Sequence, residues 1–122
     1  MTLHTPYEDI FHRPCDFLVS YCIKSDEALK EVFPNQGMRC DFSFDRGKTV
    51  YMIYPEILDN EGNVILDKNQ RIEDSGIAGM WIVLELEKYV KPLKNQLYIG
   101  QTAFWRIGGS VLAEVVVVDI FI

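Results

Sequence analysis

The sequence predicts an all-β protein: a single six- or seven-stranded antiparallel β-barrel with at most one short helix. Three observations carry that prediction. Segments with alternating apolar residues recur at short spacing, and turn signals built on Gly, Asn and Asp separate them. The run YIGQTAFWRIGGSVLAEVVVVDIFI, 98–122, reads as two β-prone stretches hinged on Gly108 and Gly109. At 122 residues with 48% hydrophobic content, the chain suits one domain, 1–122, with one core and no disulfide or metal staple.

Residues 1–14 carry Pro6, Pro14 and both histidines without a clean period, and read as an extended N-terminal arm. CDFLVSYCI, 15–23, places Phe17, Val19, Tyr21 and Ile23 on one face of a strand. SDEALKEVF, 25–33, suits one or two helical turns or a long loop, ended by Pro34 and Gly37. MRCDFSF, 38–44, and TVYMIYPEIL, 49–58, are the next strands, with the hairpin turn DRGK between them. DNEGNVIL signals another turn through Asn60 and Gly62, and DKNQRIEDSG, 67–76, is expected to be a polar surface loop. GMWIVLELEKYV, 79–90, is a long strand, and PLKNQLYIGQ leads into the final hairpin. Val and Ile crowd a helix at χ1 but pack well on a pleated sheet, so the valines at 115–118 favour a central strand. The Gly-Gly turn should let that strand close the barrel around Phe104, Val115 and Val117.

Composition limits what the chain can do. No run reaches the roughly 18 apolar residues that a membrane helix requires. The N-terminus lacks a basic stretch followed by an apolar core, so a cytoplasmic protein is expected. Cys15, Cys22 and Cys40 are an odd number, which predicts buried free thiols. The net charge is -6, which disfavours broad binding to nucleic acid and favours a basic protein partner.

No motif for catalysis, metal or cofactor survives inspection, so none of the three is expected. Gly47, Lys48 and Thr49 resemble the end of a phosphate loop, but Phe42 stands where the earlier glycine belongs, and the lysine enters a strand. His12 and Cys15 could start a zinc site, yet His4 and Cys40 are not spaced to complete it. Glu85 and Glu87 share one strand face, which reads as solvated surface; an enzyme using them or Cys40 has no independent support.

The distribution of charge is more informative. Glu56, Asp59, Glu61, Asp67, Glu73 and Asp74 cluster with only Lys68 and Arg71 as counterweights, which predicts an acidic rim for a basic protein surface. Lys88, Lys91, Lys94 and Arg106 form a smaller basic group.

A resemblance adds to this reading. Gly37, Met38, Arg39, Cys40, Asp41 and Phe42 match one motif. Ile99, Gly100, Phe104, Arg106, Ile107, Gly108 and Gly109 match a second, followed by Ala113, Val115, Val116 and Val117. Over about Asp16 to Ile120 the chain resembles the C-terminal β-barrel domain of translation elongation factor Tu, here standing alone. The resemblance implies an antiparallel barrel. It also supplies one functional expectation, a translation-associated module contacting tRNA or a translation factor through Lys88, Lys91, Lys94 and Arg106. The leading expectation rests instead on size and acidity: a non-enzymatic protein-binding module, an immunity or antitoxin-like inhibitor that neutralises a basic toxin.

Overall fold

The computed structural model describes residues 3–24, 35–44, 51–84 and 95–121. The predicted helix or loop at 25–33, the DRGK turn and the continuation of the long strand through 85–90 lie outside the described residues.

One short helix, α1 (Tyr7–Phe11), precedes β1 (Phe17–Ile23), β2 (Cys40–Ser43), β3 (Tyr51–Leu58), β4 (Ser75–Leu84), β5 (Thr102–Ile107) and β6 (Ser110–Ile120). The six strands form a closed antiparallel barrel in the order β1-β4-β3-β2-β5-β6. The last strand does close it: β6 pairs with β1 from Phe17↔Ile120 to Ile23↔Ala113, which leaves neither strand with an open edge.

Alternation builds the core. Phe17, Val19 and Tyr21 point inward from β1, and Val115 and Val117 meet them from β6. Phe17 packs edge-on against Phe42 at 5.6 Å, and Tyr21 stacks on Trp105 at 5.2 Å. Phe104 is not the residue the barrel closes around. The alternation on β5 sends Ala103 and Trp105 inside and leaves Phe104 half-buried, so fully enclosed Trp105 takes the central place. The Gly-Gly turn sets Ile107 opposite Ser110, with Gly108 at φ 60°, the left-handed first position of a tight hairpin.

The β3–β4 connection is more structured than a polar loop. Asp59 Oδ1 accepts from the Glu61 and Asn63 backbone amides, fixing the turn at Gly62. Ile72 drops into the core, and β4 begins at Ser75, earlier than the predicted Gly79. Buried Gln36 splints this region: Nε2 donates to the Ile57 and Ile65 carbonyls, and Oε1 accepts from Ile57 N.

The predicted arm is not extended throughout. It lies over the outer face of β3 and β4, and its middle coils into α1 because Tyr7 and Phe11, a turn apart, both bury rings against Tyr54 and Trp81. His12, at φ 56°, ends the helix in a left-handed cap. The arm is pinned at both ends. His4 N donates to the Leu66 carbonyl. Arg13 bonds Asp16 and the Ile82 carbonyl, and Asp16 Oδ2 accepts from Ile82 N. No helix among the described residues is long and apolar enough to cross a membrane.

Candidate partner-binding site

The strand register brings the ends of β1, β3 and β4 together at one mouth of the barrel: Cys22 faces Ser75, Tyr21 faces Gly76, and Leu58 faces Ile77. The β3–β4 connection returns over this mouth, since Ile23 N donates to the Asp74 carbonyl and Ile65 N to the Ile57 carbonyl. Between them lies a groove of about 320 Å³. Its walls include Asp59, Gln70 and Glu73 beside apolar Leu58, Ile65 and Ile77, and Tyr21 and Gly76 also line it.

The six residues of the predicted acidic rim therefore divide. Asp59 and Glu73 line the groove; Glu61 is exposed on the adjoining turn, and Asp74 follows Glu73 in an exposed position. Asp74 lies 3.8 Å from Arg71, an exposed pair of little energetic consequence. Asp67 stands away from the groove lining, bridged to Leu3 of the arm and capping Asn69 N through Oδ1.

Glu56 does not belong to the rim. It is 4% exposed on the outer face of β3, beneath the arm. Its Oε2 accepts 2.7 Å hydrogen bonds from Tyr7 N and from His4, whose Nε2 is the partner atom. A buried carboxylate needs such partners, and here they come from a segment about fifty positions away in sequence. Its charge fastens the arm and is not presented to a partner.

The predicted basic group divides too. Lys88, Lys91 and Lys94 lie outside the described residues, as do Glu85, Glu87 and the segment Gly47–Thr49. Arg106 is 7% exposed and donates from Nη2 to the Gly109 carbonyl, a buried hairpin residue in place of a surface contact. A bulge between Trp105 and Arg106 interrupts the alternation, so both side chains bury.

The thiols also depart from expectation. All three cysteines are free, but Cys22 is exposed and Cys15 half-buried, leaving Cys40 as the buried one. Burial, then the nearby Asp41 carboxylate, pushes the Cys40 thiol far up, the opposite of what a nucleophile needs. Among the described residues no three His, Cys, Asp or Glu side chains gather as metal ligands.

Two parts of the groove were not legible as a site. Tyr21 reads in sequence as a core residue, and its ring is one, but its hydroxyl end reaches the groove. Burial raises its pKa first, and the negative charges of Glu73 and then Asp74 raise it further, which places both carboxylates near the phenol. Gly76 reads as the end of a polar loop, yet it sits directly across from Tyr21. No protein-family model, curated protein or solved structure matches this chain.

Proposed function

We propose that the protein is a non-enzymatic protein-binding module, an immunity or antitoxin-like inhibitor that neutralises a basic partner protein. The observation that carries this reading is the acidic mouth of the barrel. Asp59 and Glu73 line a groove there, Glu61 and Asp74 stand exposed beside it, and Glu73 has no ion-pair partner among the described residues. Carboxylates arranged in this way steer a basic surface toward one end of a rigid barrel. The burial of Arg106 weakens the translation-associated alternative, because its guanidinium is held by the hairpin carbonyl of Gly109.

The test is charge reversal. Immobilised protein is used to recover a partner from lysate of its own source, and the kinetics are then compared for Glu73→Lys combined with Asp74→Lys. The expected result is a fall in association rate, largest at low salt, with a smaller change in dissociation rate. An unchanged association rate at low salt rejects the reading.

A further inference from the structure

We infer that the groove at the barrel mouth is a socket for a single arginine side chain of the partner, with the Tyr21 hydroxyl as its floor. This rests on the proposed reading of a basic protein partner. Tyr21 is only 4% exposed and its ring is stacked on Trp105, yet its hydroxyl has no hydrogen-bond partner among the described residues. The enclosed unpartnered side-chain polar atoms among the described residues are Trp81 Nε1, Trp105 Nε1 and Arg106 Nε, so the Tyr21 oxygen is open to the groove. A hydroxyl held rigidly at the base of an acidic groove, open to it and bonded to no described residue, is an acceptor available to a ligand.

Gly76 makes that position reachable. A Cβ there would lie 2.9 Å from Tyr21 Oη and 3.1 Å from Cζ, so any side chain would displace the phenol or cover it. Around this floor Asp59 has Oδ2 to offer, since Oδ1 is committed to its own turn, and Glu73 offers a carboxylate. Leu58, Ile65 and Ile77 provide apolar walls along which a methylene stem can lie.

The acceptors come from separate elements: the phenol from β1, one carboxylate from the turn after β3, the other from the residues before β4. A guanidinium has five N–H donors spread in a plane and can serve dispersed acceptors at once. An ammonium presents three donors from one point and serves them less well.

The experiment titrates the isotope-labelled full chain with Nα-acetyl-arginine amide and follows backbone amide resonances. The lysine derivative and the isosteric, uncharged citrulline derivative serve as comparisons. The expected result is a saturable shift confined to Leu58–Asn60 and Glu73–Ile77, stronger for arginine than for lysine and absent for citrulline. Tyr21→Phe and Glu73→Gln should each weaken binding at least about fivefold, the scale of a lost charge-assisted hydrogen bond. Gly76→Ala should abolish it.

Tyr21→Phe also separates a binding role from a structural one. Removing a hydroxyl that no described protein group holds should leave the thermal midpoint nearly unchanged. No saturable shift, an equal response to citrulline, or wild-type binding by Tyr21→Phe overturns the socket. Arginine binding as described, with partner association unmoved by charge reversal, upholds the socket and rejects the neutralising role. Absent arginine binding with slowed partner association does the reverse.

Discussion

Glu56 belongs to the acidic cluster in sequence and to the framework in space, and the two assignments predict different outcomes for the same substitution. Glu56→Ala removes the acceptor of two 2.7 Å hydrogen bonds, leaving Tyr7 N–H and His4 Nε2 unpaired at a site where all three residues are buried. Each orphaned buried polar group costs about 1–3 kcal/mol. The arm can relax enough to admit water, so the lower part of the summed range applies, about 3 kcal/mol. For a chain of this length, about 4 °C of thermal midpoint accompanies each kcal/mol, giving a fall of about 12 °C. Both bonds converge on Oε2, so the amide oxygen of Glu56→Gln can accept both, and this variant should lose less than half as much.

Thermal unfolding with tryptophan fluorescence reads both the magnitude and the route. Trp105 is enclosed in the barrel, whereas Trp81 is covered by Tyr7 and Phe11 of the arm. Loosening the arm should red-shift Trp81 emission before the barrel melts. Glu61→Ala, an exposed turn position of the same cluster, should stay within about 0.5 kcal/mol of wild type. If Glu56→Ala also stays within about 0.5 kcal/mol, with unaltered emission, the carboxylate does not hold the arm and the argument fails.

In the folded protein a thiol reagent should modify exposed Cys22 quickly and spare Cys40 until denaturant is added; rapid labelling of Cys40 would contradict its burial. Alkaline pH should destabilise the chain. The Cys40 thiol is held protonated by burial when folded but ionises from about pH 8.5 when unfolded, so its stabilising contribution is complete below that pH and declines above it. Urea unfolding at pH 9 to 10.5 should show a loss approaching about 1.4 kcal/mol per pH unit from this group, which Cys40→Ala removes; an unchanged slope refutes it. Gly108→Ala should cost about 1–2 kcal/mol because Gly108 holds a φ of 60°, while Gly109→Ala, with open space around its Cβ position, should cost less than half of that; equal costs in equilibrium unfolding would refute the turn assignment.

Period-two patterning made much of the barrel legible. Phe17, Val19 and Tyr21 alternate without interruption, and the valine run of β6 had no other suitable place than a buried strand. The pattern failed where two residues competed for one face. Phe104 and Trp105 are adjacent aromatics, and hydrophobicity alone does not decide which parity faces inward. The bulge after Trp105 then buried Arg106 as well, which no alternation anticipates. The arm was opaque for another reason: α1 is five residues long, too short to display a helical period, and its partners Tyr54 and Trp81 lie far along the chain.

That same arm explains how the acidic cluster was redistributed. Outward positions of β3 and β4 hold Tyr54 and Trp81, an aromatic surface that would be costly to leave in water. The arm covers it. Gly79 lets the chain pass close, since a Cβ there would sit 3.4 Å from Cys15 Cβ. Covering that face also buries Glu56, whose charge must then be met by the arm's own groups. At the barrel mouth no ion pair joins Glu73 to another described residue, and Gly76 leaves room for the Tyr21 phenol. Charge clustered in sequence becomes available to a partner only where the fold supplies no donor of its own. By that criterion the groove beside Tyr21 is the surface we propose for recognition, whereas the carboxylate of Glu56 is already used to fasten the arm to the barrel's outer wall.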